Sequence, residues 1–301
     1  MTFPSSRQAA LSAASFSITT ALTVPLEEIT HAIRAVYPDD DDTPEGYAEY
    51  ISQTQIDLAQ SFVALDAERW IAGLAMFAVR GERGWVGDLA VAPRYQKRKL
   101  GQALMNRCLE NAKRLGLCSV ALDVREDNPS ARHVYEKIGF RYTRRIPCFR
   151  ASLAALGWND PSLPAGVEAV LAPVEWSLDA TPLLRWYDPH YAATPCWERE
   201  LQSLLCQKGA RAWTLRRGGR EVVFLLCNRT RNSHLLNVQH VALAAEAAPD
   251  DLRALCIAAA REAGADALRL GLEPEDSRAA AMFRALGFPV EKMILEMVKT
   301  L

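Results

Sequence analysis

Residues 91 to 104 read Val-Ala-Pro-Arg-Tyr-Gln-Lys-Arg-Lys-Leu-Gly-Gln-Ala-Leu. A short apolar run ends at Pro93, and a basic loop then leads into a long helical pattern. This order predicts a strand, a turn and the start of a helix. The first amides of a helix have no acceptor within the helix and carry partial positive charge, so a loop that gathers them binds anions. Four of the six residues 94 to 99 are basic, which favours a guest with several negative charges.

A second motif separates this interpretation from that of a solvated basic turn. Asp123 to Asn128 leaves the next strand, and residues 129 to 138 form a helical pattern that ends at Gly139-Phe140. With strand, basic loop, helix, strand, asparagine and a helix carrying Tyr135 in this order, the chain resembles the GNAT superfamily of acyl-CoA-dependent N-acetyltransferases. The resemblance is close over residues 86 to 140 and coarse over residues 15 to 150.

The resemblance implies an α/β (α+β) fold with a twisted mixed β-sheet flanked by helices. It also implies that the basic loop holds the pyrophosphate of acetyl-CoA. The family's loop reads Gln/Arg-x-x-Gly-x-Gly/Ala, and here Gln96 to Gly101 occupies it with Lys99 in place of the first glycine. Glycine would let the backbone approach a phosphate without a Cβ atom between them.

The family also implies a role for each matching residue. The strand before the loop pairs its backbone with the pantetheine arm, a backbone N–H there polarises the thioester carbonyl, and the loop amides take the pyrophosphate. The residues implied to bind acetyl-CoA are Leu89, Ala90, Val91, Gln96, Lys97, Arg98, Lys99, Leu100, Gly101, Gln102, Asn128 and Tyr135. No metal is implied.

Tyr135 is the candidate general acid for the CoA thiolate. It follows Asn128 by seven residues, which is the family's spacing. A free phenol titrates near pH ~10, so it holds a donatable proton at neutral pH. A buried helix tyrosine bonded to a carbonyl is the alternative. Asp88 is the first candidate for the general base, with Glu126 and His133 as others and transfer through ordered water as a further route.

Composition bounds the class of protein. The chain has 301 residues, room for two domains, and a formal net charge of −1, which argues against a dedicated nucleic-acid binder. Its seven cysteines form no CxxC pair, so neither a disulfide framework nor a zinc site is expected, and a cytoplasmic location fits. No apolar run is long enough for a membrane span. The N-terminal extension lacks the solid apolar region of a signal peptide.

The second half repeats the first. With a shift of 148 residues, Gly101–Phe140 aligns with Pro249–Phe288 without a gap, and eight of the forty pairs are identical where chance gives roughly three. The alternative is two generic helices that both end before a glycine. The repeat predicts two tandem GNAT-like domains, residues 1–150 and 151–301, joined by a turn-rich linker over residues 151 to 166.

The two halves differ where the chemistry is expected. Residues 244 to 251 are acidic and lack glycine, and Asp276 and Phe283 stand where the first half has Asn128 and Tyr135. Carboxylates repel a pyrophosphate, and a phenyl ring has no proton to donate. We therefore expect the second half to have lost cofactor binding and to shape the acceptor cleft.

Hydrophobic periodicity predicts the elements of the first half. The helices are expected over residues 26–36, 45–60, 101–115 and 129–138. The strands are expected over residues 16–23, 61–65, 70–79, 85–91, 119–124 and 140–150.

The expected activity is acetyl transfer from acetyl-CoA to a primary amine of a small molecule or a peptide amino terminus. The acidic run Asp39–Asp42 is a candidate for drawing in a cationic amine, or is only a solvated turn. Candidate aromatic walls, which fit a core equally well, are Trp85, Trp186, Tyr187 and Tyr191. A non-catalytic acyl-CoA binding or sensing protein is the alternative. An enzyme resembling mycothiol synthase is a weaker one, since there the C-terminal half is active.

Overall fold

The fold is taken from a computed structural model, which describes residues 16–37, 43–158, 167–172, 181–187, 195–229 and 234–301. The first half contains β1 Ser17–Thr20, α1 Leu26–Val36, α2 Pro44–Thr54, β2 Phe62–Leu65, β3 Ile71–Arg80, β4 Arg83–Val91, α3 Leu100–Arg114, β5 Ser119–Arg125, α4 Pro129–Lys137 and β6 Arg141–Ser152. The second contains β7 Val167–Ala172, α5 Thr181–Trp186, α6 Leu201–Leu205, β8 Arg211–Arg217, β9 Arg220–Arg229, β10 Leu235–Leu243, α7 Pro249–Glu262, β11 Ala267–Leu270, α8 Arg278–Ala285 and β12 Val290–Thr300.

Local sequence signals account for the helix ends. Asn128 caps α4 by accepting from the amide of Ala131 at 3.1 Å, and Gly116 follows α3 with a positive φ of 71°. Helix α2 is shorter than predicted and ends at Thr54, because Gln55 takes a left-handed conformation with φ 59°. The predicted first strand is also shorter, since residues 21 to 23 form a 3₁₀ turn.

All twelve strands form one mixed sheet in the order β1-β2-β3-β4-β5-β12-β6-β11-β10-β9-β8-β7. The β4–β5 and β10–β11 pairs are parallel and the others are antiparallel. The predicted mixed α/β fold is confirmed. No described helix is long and apolar enough to span a membrane.

Each half contributes its last strand to the strands of the other half. Strand β12 lies between β5 and β6, and β6 lies between β12 and β11. The central pair places Ile146 opposite Ile294, and these two residues are also equivalent under the 148-residue repeat. The strand order is therefore the same read from either end when each strand is replaced by its repeat partner. A local two-fold relation passes through the centre of the sheet.

The first half places different helices on the two faces of the sheet. One core cluster packs α3 and Tyr135 against alternate residues of β3, together with Leu295 and Met297 from β12. The other packs α1 and α2 against the opposite residues of β3 and includes Trp197 from the second half. Both halves of the chain thus contribute to the core around β4 and β5.

A fork opens between β4 and β5. The parallel register runs only from Arg83–Val86 on β4 to Ser119–Leu122 on β5. Beyond Val86, β4 pairs with β3 alone, and β5 pairs with β12 on its other side. A bulge at Gly87 marks this point, and a Cβ there would lie 2.6 Å from the Trp85 ring. The fork leaves two facing strand edges, residues 88–91 and 123–125.

Candidate active site

The loop between β4 and α3 gathers unpaired amides. Within the described residues, the amides from Lys97 to Gln102 donate to no acceptor, and the first bonded amide after them is that of Ala103. Lys97 and Lys99 both have φ 61°, so left-handed residues lie on both sides of Arg98 in the loop. Successive amides in a turn of this kind converge on one point and form an anion site. Lys99, which stands where the resembling family has glycine, thus adopts a conformation that glycine takes more readily than lysine.

The cations of the loop are available to a ligand. Lys97, Arg98 and Lys99 are exposed, and none forms an ion pair with a described residue. Arg94 instead lies 3.6 Å from the Asp66 carboxylate and 4.7 Å from the Tyr95 ring centroid. Three of the four basic residues can therefore neutralise a bound polyanion.

The strand edge beside the loop carries two side-chain contacts. The Tyr37 hydroxyl donates to the carbonyl of Leu89 at 3.3 Å. The Gln96 side-chain amide donates to the carbonyl of Val91 at 3.2 Å, which ties the loop to the end of β4. Ala90 between them is buried. The loop and the strand edge therefore form one continuous surface that ends at the fork.

Tyr135 faces this fork from α4. It is 7% exposed, and its hydroxyl has no hydrogen-bond partner among the described residues. Burial, with smaller contributions from Tyr37 and Asp88, raises the pKa of Tyr135 well above its usual range. The phenol is therefore protonated at neutral pH. The alternative of a tyrosine bonded to a carbonyl is not seen among the described residues.

Known acetyltransferases match the chain in sequence. Residues 26–140 match the family model described as Acetyltransferase (GNAT) family. N-alpha-acetyltransferase 30 of Schizosaccharomyces pombe is 31% identical over 110 residues, which cover 34% of this chain and 73% of that protein. The chain belongs to the GNAT acetyltransferase family. Acetyl-CoA is the co-substrate of this family.

Another relative and a solved structure extend the comparison. Mycothiol acetyltransferase of Saccharomonospora viridis is 33% identical over 99 residues, and the chain spans only 31% of the length of that protein. A tandem GNAT protein from the clavulanic acid biosynthesis pathway has a TM-score of 0.67 at 14% identity, covering 95% of this chain and 98% of that one. At this identity the likeness shows the tandem GNAT fold alone.

Of the three candidate general bases, Asp88 lies on β4 at the fork, whereas Glu126 and His133 lie elsewhere. The Tyr47 hydroxyl donates to Asp88 Oδ2 at 2.8 Å. Glu126 pairs with Arg145 at 3.1 Å, and His133 is exposed on α4. Of the three candidate bases, Asp88 is therefore the one at the fork whose charge acts on Tyr135.

Two further carboxylates lie near Asp88 and were missed from the sequence. Burial first, and then Glu296, raise the pKa of Asp123 to about 7. Burial first, and then Asp123 and Asp88, raise the pKa of Glu198 to about 7. We call Asp88, Asp123 and Glu198 the acidic cleft. The signal for Asp123 is a carboxylate in the middle of an apolar strand, whereas Glu198 lies in the second half and has no comparable signal.

Glu198 belongs to residues 195–207 of the second half, which we call the clamp segment. Arg80 donates to the Trp197 carbonyl at 2.7 Å and lies 4.2 Å over the Trp197 ring. Arg83 makes two hydrogen bonds to Glu200, at 2.8 and 2.9 Å. The Trp197 ring stacks on Trp85 at 5.7 Å with an interplanar angle of 6°. These contacts hold the clamp segment against the α2 face of the first half.

The other predicted acceptor residues lie away from the fork or outside the described residues. Trp186 stacks on Phe224, and both Trp186 and Tyr187 pack on a separate core cluster of the second half. Asp39–Asp42 and Tyr191 lie outside the described residues. Trp85 is the only aromatic candidate that the described structure places at the fork.

The fork of the second half is filled. Arg199 donates to the Gly271 carbonyl at 2.7 Å and the Val238 carbonyl at 2.9 Å, and its guanidinium pairs with buried Glu273 at 2.9 Å. Val238 is the last β10 residue paired with β11, as Val86 is the last β4 residue paired with β5. Arg199 thus bridges the two strands where the first half has its opening.

A carboxylate of the chain lies at the N-terminus of α7, the helix that follows this fork. The carboxylate of Asp251 accepts from the amide of Ala248 at 2.8 Å, at the N-terminus of α7. Asp251 also pairs with Arg217 at 2.8 Å. A carboxylate of the chain therefore occupies the helix terminus that in the first half is left open.

Proposed function

We propose that the protein is an acetyl-CoA-dependent N-acetyltransferase whose active site lies in the first half, on a small-molecule amine or a peptide amino terminus. The run of unpaired amides from Lys97 to Gln102, ending beside an open strand fork, carries the proposal. The pyrophosphate would bind these amides, with Lys97 and Arg98 adding charge. The names of two relatives, a mycothiol acetyltransferase and an N-alpha-acetyltransferase, cover both acceptor types.

The chain's own residues supply the remaining steps. The pantetheine arm would lie along residues 89–91, with a backbone N–H polarising the thioester carbonyl. The acceptor amine gives up a proton toward Asp88, directly or through water, and attacks the carbonyl carbon. A C–N bond forms as the C–S bond breaks, and the Tyr135 hydroxyl gives its proton to the leaving thiolate. Asn128 caps α4 and so orients the helix that carries Tyr135.

The second half would carry no acyl-CoA site. The Arg199–Glu273 pair fills its fork, and Asp251 occupies its helix terminus. The domains proposed at residues 1–150 and 151–301 are therefore unequal in role, with the second supplying β12 to the sheet and Glu198 to the acceptor side. Cytoplasmic location is part of the same proposal.

Calorimetric titration of acetyl-CoA into the full chain tests the site. We expect one site per chain, lost in the double charge reversal Lys97→Glu and Arg98→Glu. The matched control reverses Lys208 and Arg220, two exposed residues of the second half without a described partner. Equal loss in both variants, or no binding at all, would contradict the site. Binding without acetylation of any amine, measured by mass spectrometry, would favour a non-catalytic acyl-CoA binding protein.

A further inference from the structure

Asp88 is held by a tyrosine of the helix that packs over it. Alternate residues of a strand face opposite sides of the sheet, so Asp88 shares the side of Ala90, which packs in the core under α1 and α2. The Tyr47 hydroxyl on α2 donates to Asp88 Oδ2 at 2.8 Å. Tyr47 is 2% exposed, whereas Asp88 is half-buried. The hydrogen bond therefore fixes, from inside the protein, a carboxylate that is only partly covered.

The proposed acid and the proposed base lie on opposite faces of the sheet. Tyr135 packs in the core cluster that contains α3, whereas Tyr47 packs in the cluster that contains α1 and α2. In the proposed reaction the amine therefore loses its proton on the α2 side, and the thiolate gains one on the α3 side. A shift of α2 thus acts on the proposed base before it acts on the proposed acid.

The C-terminal end of α2 is held by the second half. The Trp197 indole N–H donates to the carbonyl of Thr54, the last residue of α2, at 2.8 Å. Arg80 donates to the same carbonyl at 3.5 Å and to the Gln55 side chain at 2.8 Å. The last carbonyls of a helix have no donor within the helix, so these side chains take that place. The clamp segment therefore caps the helix that carries Tyr47.

Tyr47 and Thr54 lie on one face of α2. They are seven residues apart, about two helical turns, and both are 2% exposed. Between them, Tyr50 packs its ring beside that of Tyr47, with centroids 5.7 Å apart, and its carbonyl accepts from Thr54 Oγ1 at 2.7 Å. A hydrogen-bonded helix of 11 residues moves as a unit, so a displacement at Thr54 reaches Tyr47.

The Tyr47 hydrogen bond suits a general base. A donor to a carboxylate stabilises its charged form, which is the form that accepts a proton. A general base must also lie within hydrogen-bond reach of the proton that it takes, and holding Oδ2 sets where the second oxygen of Asp88 lies. Hydrogen bonds weaken steeply when their angle or length departs from the optimum, so a small shift of α2 changes both properties.

We propose that Tyr47 is a positioning residue for Asp88, and that Trp197 of the second half keeps Tyr47 in place by holding the end of α2. The inference rests on the proposed acetyl transfer, in which Asp88 is the general base. It gives the second half, which carries no proposed acyl-CoA site, a part in the reaction of the first half.

The relay from Trp197 through Tyr47 to Asp88 is tested without activity. The Asp88 carboxyl of the full chain is followed by ¹³C NMR during a pH titration and is assigned with Asp88→Asn. Tyr47→Phe removes a donor to the charged form, so the pH at which Asp88 loses its proton should rise by about one unit. Trp197→Phe should raise it by a smaller amount. The other titratable groups on which the charge of Asp88 acts stay in place in both variants; they are Tyr50, Tyr135 and Glu198. An unchanged midpoint in Tyr47→Phe would overturn the inference.

A double variant separates the relay from a direct effect of moving Glu198. If Trp197 acts through Tyr47, the substitution Trp197→Phe should cause no further shift in the Tyr47→Phe protein. An equal shift in both backgrounds, or no shift in either, would contradict the relay.

A second tryptophan supplies the matched control. The Trp186 indole N–H donates to Glu221 at 3.2 Å in the second half, so Trp186→Phe loses a similar bond and should leave Asp88 unchanged. If Trp197→Phe does not fold, Gln55→Gly takes its place. It removes the Arg80 contact at the same end of α2, and glycine suits the φ of 59° at that position.

Kinetics distinguish this inference from the proposed function. We expect the acid limb of the kcat/KM profile to move with the Asp88 midpoint in each variant, while the Kd for acetyl-CoA changes by less than about threefold. Shifted midpoints without acetylation of any amine contradict only the acetyltransferase, and acetylation with unshifted midpoints contradicts only the relay. An acid limb that stays in place while the midpoint moves would remove Asp88 as the base, and Tyr47 as its positioning residue.

Discussion

At the scale of single residues, Tyr135 combines three properties of a proton donor. It is buried, its pKa is raised by burial, and its hydroxyl has no partner among the described residues. A phenol in this state keeps its proton until a stronger base, such as a developing thiolate, lies beside it.

Tyr135→Phe therefore removes the proposed donor with little change in shape. We expect kcat to fall by about 10²- to 10⁴-fold while the Kd for acetyl-CoA changes by less than threefold. Steady-state kinetics and calorimetry on the same preparation check this. Phe283 occupies the equivalent position in the second half, so Phe283→Tyr is the control and should add no activity. Unchanged kcat in Tyr135→Phe would remove the residue from the acid role.

At the scale of elements, the phosphate loop keeps its shape without the family glycine. Lys97 and Lys99 both have φ 61°, a region in which L side chains are strained by about 1 kcal/mol or more. The positive charge of Lys99 at the N-terminus of α3 further lowers the stability of the fold, because the helix dipole there favours anions.

Lys99→Gly should thus stabilise the protein by up to about 1 kcal/mol, a rise in Tm of about 2–4 °C. We expect acetyl-CoA affinity to be preserved or increased, because the backbone can approach the phosphate more closely. Lys97→Gly is the matched variant, with the same φ and the same loss of charge. A loss of affinity above tenfold in Lys99→Gly alone would mean that the Lys99 ammonium itself holds phosphate.

At the scale of the whole molecule, strand exchange makes the two halves depend on each other. Met297 comes from the end of the chain, is 1% exposed, and packs in the core beside α3 and Val124 of β5. The first half therefore lacks part of its core unless β12 is in place.

Met297→Ala should destabilise the protein by about 2–5 kcal/mol. Hydrogen–deuterium exchange should show faster uptake in α3 and β5 as well as in β6 and β12. The control is Met282→Ala on α8, which packs in the core cluster formed mainly by the second half and should act first on α7 and α8. An effect of Met297→Ala confined to residues 211–285 would contradict the exchange.

The local features were predictable because local physics decides them. The apolar periodicity of α3, the basic loop before it, the Asn128 cap and the spacing to Tyr135 depend on neighbours within a few residues. The 148-residue repeat is likewise visible in the residue pattern. The end of α2 was not predicted, because it depends on a left-handed Gln55 whose type carries no such signal.

The sequence alone determined the repeat, the basic loop and the family. The tertiary structure decided which half of the sheet each last strand, β6 or β12, completes. Strands β6 and β12 are equivalent under the 148-residue shift, so the repeat by itself does not decide which half each strand completes. Only the packing of the whole chain selects the exchanged arrangement. The same holds for Trp197, Glu198 and Arg199, three successive residues of the clamp segment. Trp197 stacks on Trp85, Glu198 adds a carboxylate to the acidic cleft, and Arg199 fills the fork of the second half. The burial of each depends on surfaces more than 30 residues away in the sequence.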